Sequence, residues 1–266
     1  MPKVNVDGVN INYTDSGGSN EPVLLTHAFP LNSGQWEPQE RALGDRFRLV
    51  NVDLKGFGES DAPEGRENYS MDSYARELKG VLDDIGAAQA TLLGLSMGGY
   101  IAFAFLRLFP DAVSRLVLAD TRAEADPPEG VEKRSSQQDQ VESEGTAGLI
   151  DALPGALLGE KTRANKPDVV EDTKKLMDNP ANGFIGALEA MKNRPDSTGD
   201  LPSINVPTLI IVGEEDTLTP PDFSRSMHEG IGGSELVVLP ESGHLSNLEA
   251  PDPFNGAVAG FLSKAP

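Results

Sequence analysis

Apolar positions along the chain follow two rhythms, a period of two in short runs and a helical period in longer ones. Residues 4–6 and 9–13 alternate on either side of Asp7-Gly8, a pair suited to the tight turn of a hairpin. Residues 22–27 (PVLLTH) form a short apolar run fit for a strand buried on both faces, and 47–53 (FRLVNVD) read as another strand. Met71, Tyr74, Leu78, Val81, Leu82 and Ile85 then recur at helical spacing, with Ser70 available as the N-cap. A strand over 91–95 precedes a helix over 97–109, which Pro110 stops. Strands over 116–119, 208–212 and 236–239 and helices over 221–231 and 253–262 complete the pattern. Strands alternating with helices predict an α/β fold whose mostly parallel sheet carries helices on both faces.

One stretch breaks this rhythm. From about Arg122 to Pro202 no strand is evident, and apolar residues such as Leu149, Leu153, Leu157, Leu176, Phe184 and Leu188 keep helical spacings. The stretch starts where one core strand ends and finishes before the next begins. It is expected to be a small helical cap, residues 122–202, inserted into a core domain made of 1–121 and 203–266. The cap should cover the C-terminal edge of the sheet, where open α/β folds bind ligands. The 266 residues suffice for one such core with an appended subdomain, and no internal repeat is present.

Composition narrows the function classes. Asp and Glu number 42 against 22 Lys and Arg, giving a formal net charge of -20. Nucleic acid and anionic lipid both require a basic patch, so neither is an expected partner. A saline source or simple solubility would each account for the acidity. The chain has no cysteine, which removes disulfides, thiolate metal sites and a thiol nucleophile. The N-terminal residues alternate like a strand and lack the apolar core of a signal peptide. The uncharged residues 90–106 contain Gly94, Ser96, Gly98 and Gly99, and read as strand, turn and helix rather than as a membrane span. The expectation is a cytoplasmic protein that acts on a small molecule, with a homo-oligomer compatible with the sequence.

The chemistry centres on Gly94-Leu95-Ser96-Met97-Gly98, which fits G-x-S-x-G between a predicted strand and a predicted helix. Small flanking residues let strand and helix approach closely, and the turn exposes the serine Oγ. The helix N-terminus offers backbone N–H groups to a developing oxyanion. A serine hydroxyl needs a base, and the chain has 3 histidines. His244, in a loop after the last predicted strand, is the first candidate. His27 ends an early strand and competes with it, while His228 lies in a polar helix. The base needs an acidic orienting partner. Asp216, after the strand at 208–212, is the first candidate, and Asp120, at the end of the strand before the insertion, is the rival. Two amides are expected to form the oxyanion hole: Met97, next to the nucleophile, and Phe29, in the loop after the first core strand. The loop from Asp53 to Ser60 (DLKGFGES) lacks the endings of phosphate-binding loops and reads as a structural turn, with Asp53 tying down backbone amides.

Taken together, residues 27–30, 53–60, 93–99, 213–216 and 242–244 resemble the α/β-hydrolase superfamily. The resemblance is to the branch holding 3-oxoadipate enol-lactonases, small carboxylesterases and cofactor-free haloperoxidases or perhydrolases. It runs in the family's order over nearly the whole chain. Two departures stand out: Ala28 where glycine is usual, and Lys55 where arginine is common. The resemblance implies attack by Ser96 on an ester or lactone carbonyl, with His244 as base, Asp216 orienting it, and the Phe29 and Met97 amides holding the oxyanion. It implies no metal and no organic cofactor. Peroxide-dependent acyl transfer, and ligand reception with slow turnover, are rival activities of the same fold.

Overall fold

The chain opens on a hairpin whose turn needs left-handed backbone, supplied by Asp7 (φ 51°) and Gly8 (φ 88°). The computed structural model describes residues 2–264. The hairpin strands are β1 (Lys3–Val6) and β2 (Val9–Asp15), followed by β3 (Pro22–Thr26), α1 (Glu37–Leu43) and β4 (Arg48–Val52). Next come α2 (Met71–Asp84), β5 (Ala90–Leu95), α3 (Met97–Leu108) and β6 (Val113–Ala119). The segment before the next strand holds α4 (Pro128–Glu144), α5 (Ala147–Ala152), α6 (Pro154–Leu157), α7 (Glu160–Asn165), α8 (Pro167–Leu176) and α9 (Ala181–Lys192). The chain then returns to β7 (Thr208–Gly213), α10 (Pro221–Gly230), β8 (Glu235–Leu239), α11 (Ser246–Glu249) and α12 (Pro251–Leu262).

The 8 strands form one sheet in the order β1-β2-β4-β3-β5-β6-β7-β8. β1 with β2 and β2 with β4 are antiparallel, and the remaining pairs are parallel. Every residue of β3, β5 and β7 is buried, as continuous apolar runs in a doubly covered parallel sheet require. The two-residue period divides the core. Leu24, Val50, Leu92 and Ile210 pack with Tyr74 and Leu78 of α2 and Ile101 and Phe105 of α3. Their neighbours Val23, Leu25, Leu93 and Ile211 point the other way, to Trp36, Leu43 of α1 and Phe254 and Val258 of α12. Burying each such side chain contributes roughly 1.5–3 kcal/mol.

Local signals explain the helix ends. The Ser70 hydroxyl accepts the Ser73 N–H at 3.0 Å, and the Ser73 hydroxyl accepts the Ser70 N–H at 3.0 Å, a reciprocal cap for α2. β6 begins at Val113, three residues before the sequence pattern suggested, because Ala90 and Thr91 of β5 extend the pairing across a bulge. Leu149, Leu153 and Leu157 do not share one helix, because Pro154 starts a new one. α4 and α9 pack on each other, and α9 presses on the turn after β4. There Gly56, at φ +91°, faces Gly183, and a Cβ on Gly183 would lie 1.9 Å from the Gly56 carbonyl oxygen. Only two glycines permit this contact.

Candidate active site

Ser96 sits between β5 and α3 at φ 55° and ψ −111°, a backbone geometry that a side chain rarely adopts. The neighbouring glycines make it possible. A Cβ on Gly94 would lie 2.3 Å from the Gly98 carbonyl oxygen, and one on Gly98 would lie 2.3 Å from the Thr26 carbonyl oxygen. Two bonds pin the strained residue: its N–H donates to the Ala119 carbonyl at 2.9 Å, and its carbonyl accepts the Thr121 hydroxyl at 2.8 Å.

The structure brings Ser96, His244 and Asp216 into one hydrogen-bonded chain. Ser96 Oγ lies 2.7 Å from His244 Nε2, and His244 Nδ1 lies 2.8 Å from Asp216 Oδ2. An ionised carboxylate only accepts, so the proton is on Nδ1 and Nε2 offers its lone pair to the serine hydroxyl. Asp216 is fixed in turn. Its Oδ1 accepts the N–H groups of Leu218 (2.8 Å) and Thr219 (3.0 Å), and its Oδ2 accepts the Thr219 hydroxyl (2.6 Å). Burial opposes the charge on Asp216, yet His244 and these donors outweigh it and hold the carboxyl at about 2. Burial likewise opposes a charged His244, and the Asp216 carboxylate outweighs it, raising the imidazole above its ordinary value.

Asp120 lies close by but bonds elsewhere. Its carboxyl accepts the Gly213 N–H at 2.8 Å and the Ser246 hydroxyl at 2.5 Å. Full burial, with the Asp216 charge adding to it, pushes the Asp120 carboxyl well above the usual range. It ties the strand end before Asp216 to the helix start after His244. His27 is buried with both ring nitrogens engaged: Nε2 accepts the Leu54 N–H at 3.1 Å, so Nδ1 donates to the Ala28 carbonyl at 2.9 Å. Burial lowers its pKa to about 4, which keeps it neutral. His228 is exposed and contacts the Ser234 hydroxyl.

The amides of Phe29 and Met97 have no acceptor among the described residues. Met97 begins α3, where N–H groups point out of the helix. The Phe29 loop is braced from both sides. The Ala28 N–H donates to Gln35 Oε1 at 2.8 Å, and the Pro30 carbonyl accepts from Asn179 Nδ2 at 2.9 Å. Asn179 also accepts the Gly58 N–H at 2.8 Å, linking this loop to the turn after β4. In that turn Asp53 accepts the N–H groups of Ser33 (2.8 Å) and Glu59 (3.0 Å). Ala28 keeps a negative φ, so its methyl group is accommodated where glycine is usual.

Ser96 and His244 open into a cavity of about 190 Å³, walled by Leu153 and Leu157 of the inserted helices, Met191, and the basic side chains Arg122 and Arg134. Reasoning from the sequence missed several groups around it. Thr219, three residues after Asp216, has the short spacing at which hydroxyls bond back to a turn. Glu249 had no local signal. It is buried, its Oε1 accepts the N–H groups of Gly243 (3.0 Å) and Leu245 (3.2 Å), and its Oε2 accepts that of Gly159 (2.8 Å). The His244 and Leu245 N–H groups both donate to the Leu157 carbonyl of α6. The histidine loop is therefore held by α6 and the residues just after it as well as by Glu249 of α11.

With this geometry in hand, likeness to known proteins is informative. The family model described as alpha/beta hydrolase fold matches residues 21–251. A 3-oxoadipate enol-lactonase of Acinetobacter baylyi is 28% identical over 261 residues, covering 97% of this chain and 95% of its own. A thermophilic esterase from Thermogutta terrifontis shares 37% identity with a TM-score of 0.93, covering 98% of this chain and 97% of its own. The enol-lactonase of Burkholderia xenovorans LB400 superposes with a TM-score of 0.91 at 28% identity, covering 99% of this chain and 100% of its own. Among the described residues no helix is long and apolar enough to cross a membrane.

Proposed function

Because the chain belongs to the alpha/beta hydrolase family, we propose that it is a serine hydrolase cleaving carboxylic esters or lactones through an acyl-enzyme on Ser96. One observation carries this reading: the unbroken chain from Ser96 Oγ through His244 to the buried Asp216, at 2.7 and 2.8 Å. The similarity to an esterase and to enol-lactonases supports the choice of ester and lactone carbonyls.

The steps follow from the proton positions. His244 Nε2 takes the Ser96 proton as Oγ attacks the carbonyl carbon, and the Asp216 carboxylate stabilises the imidazolium without taking its proton. Negative charge collects on the carbonyl oxygen, where the Phe29 and Met97 N–H groups donate to it. As the intermediate collapses, the ester C–O bond breaks and the leaving oxygen takes the proton from Nε2. Water then repeats the sequence: His244 removes its proton, hydroxide attacks the acyl carbon, and Ser96 is released with its proton restored. In a lactone both products stay in one molecule, as a hydroxy or keto acid. The helical segment at 122–202 is proposed as a cap that shapes the acyl pocket, with 1–121 and 203–266 as the core.

A panel of chromogenic esters and lactones, run on wild type and on Ser96→Ala, tests the proposal. Wild type should turn over at least one class steadily, and Ser96→Ala should fall by up to about a millionfold while staying folded. A folded Ser96→Ala protein that keeps more than a few per cent of the activity contradicts the proposal.

A further inference from the structure

We propose that Asn179, in the loop between α8 and α9, is a positioning residue for the oxyanion hole: it holds the turn that presents the Phe29 N–H to the reacting carbonyl. This rests on the hydrolase reading above. The bonds of Asn179 are the observation that carries it. Its Nδ2 donates to the Pro30 carbonyl at 2.9 Å and to the Leu176 carbonyl at 2.9 Å, and its Oδ1 accepts the Gly58 N–H at 2.8 Å. The side chain is buried. A backbone N–H at one corner of the amide and carbonyls at the other fix which way it faces.

The covalent chain explains why a bond to Pro30 reaches Phe29. The Phe29 N–H and the Ala28 carbonyl belong to one planar, trans peptide unit and point in opposite directions. His27 Nδ1 and the Leu31 N–H both donate to that carbonyl, each at 2.9 Å, which turns the Phe29 N–H away from them. Between this unit and the Pro30 carbonyl only the Phe29 φ and ψ and the Pro30 ψ can rotate, because the proline ring fixes its own φ. Asn179 holds the far end of that short stretch. The Phe29 ring holds the middle, edge-on to Phe57 and Phe184 with centroids 6.3 and 5.6 Å away.

The other corner of Asn179 is anchored on the turn after β4. Gly58 there has φ +56°, and a Cβ on it would lie 2.2 Å from the Asp53 carboxyl carbon, so the position requires glycine. Asp53 in turn accepts the N–H groups of Ser33 and Glu59. Hydrogen bonds thus close a ring from Pro30 through Asn179, Gly58, Glu59 and Asp53 back to Ser33. Asn179 is the member of that ring contributed by the helical segment after β6. That segment therefore does more than wall the pocket: its seating sets the geometry of the oxyanion hole. An amide supplies one acceptor and two donors at this length. Aspartate supplies no donor, and alanine supplies neither.

The test compares wild type with Asn179→Ala and Asn179→Asp. Asn182→Ala is the control, because Asn182 reaches the Ala62 carbonyl instead. Kinetics use the best ester from the panel. Binding uses a trifluoromethyl ketone shaped like that ester's acyl group, and the alcohol made by reducing it. Ser96 Oγ bonds to the ketone carbon, its proton passes to His244, and the carbonyl π pair moves to oxygen. The ketone therefore places an oxyanion in the hole, and the alcohol does not. Losing a whole oxyanion donor costs about 10²–10³ in kcat, and a misplacement of about 1 Å costs about a hundredfold. Both Asn179 variants should lose about ten- to a hundredfold in kcat, with KM within about threefold of wild type. Ketone affinity should fall by the same factor while alcohol binding holds, and Asn182→Ala should match wild type. Aspartate keeps the shape of asparagine, so it carries the test if the alanine variant does not fold. A folded Asn179 variant with wild-type kcat overturns the proposal. So does a loss confined to Asn179→Asp, which traces to its charge, or an equal loss of ketone and alcohol binding. A wild type that turns over no ester and binds no ketone removes the hydrolase reading and the proposal with it. Ester turnover that survives both Asn179 substitutions removes the proposal alone.

Discussion

Replacing Asp216 by asparagine isolates the part of the site that sets the histidine's proton. The neighbouring donors decide how the amide sits. Oδ1 of Asp216 receives two backbone N–H groups, from Leu218 and Thr219, so this corner must remain an oxygen. The NH₂ group of the introduced amide is therefore driven to the other corner, 2.8 Å from His244 Nδ1. There it donates, Nδ1 must accept, and the proton moves to Nε2. Ser96 then faces an N–H in place of a lone pair. The same change in a serine protease costs about ten-thousandfold in kcat, or roughly 5.5 kcal/mol of barrier. Asp120→Asn provides the control. Its oxygen can keep the Gly213 N–H while its NH₂ donates to the Ser246 hydroxyl, which accepts as well as donates. That variant should stay within about tenfold of wild type, because it leaves the His244 tautomer alone. Steady-state kinetics on the best ester from the panel, with circular dichroism to establish folding, gives the ranking. A larger loss in Asp120→Asn than in Asp216→Asn, with both folded, refutes this reasoning and moves the orienting acid to Asp120.

Two further outcomes follow from the same geometry. His244 must be neutral to accept the serine proton, and the Asp216 carboxylate raises its pKa above the ordinary 6.5. The kcat/KM profile should therefore lose activity as pH falls through a midpoint above 6.5, and the midpoint should drop in Asp216→Asn; a wild-type midpoint at or below 6.5 argues against the pairing. Glu249→Gln should cost about 1–3 kcal/mol in urea denaturation and lower kcat more than it raises KM, because either orientation sets the new NH₂ against a backbone N–H. Wild-type stability and kcat in that variant would show that Glu249 does not hold the histidine loop.

The parts that local chemistry dictates were legible in the chain. Gly94 and Gly98 must be small because strand, helix and β3 backbone meet there, so the elbow reads directly from five residues. Ser70 and Pro110 mark helix ends by capping and by a missing donor. Asp216 and His244 could be named as candidates because each follows a strand, and the sheet brings such loops to one edge, where their side chains lie 2.8 Å apart. α1 escaped notice because its seven residues bury only Gln39 and Leu43, too few to show a period. Thr219 carried a local signal in its spacing from Asp216, whereas Glu249 gave none because it reaches across a long stretch of chain. Glu249 meets Gly159, 90 residues away. Contacts of that kind depend on how helices pack, and neither periodicity nor spacing encodes them residue by residue.

The central claim is a covalent bond between an acyl group and Ser96, and trapping that bond tests it most directly. Wild type and Ser96→Ala are mixed with p-nitrophenyl acetate, quenched in acid within the first turnover, digested and weighed by mass spectrometry. The account predicts a burst of p-nitrophenol matching the enzyme concentration, one acetyl group on the peptide that carries Ser96, and neither signal in Ser96→Ala. Steady turnover with no acetyl on that peptide, or an acetyl of equal yield on another residue in both proteins, would contradict it.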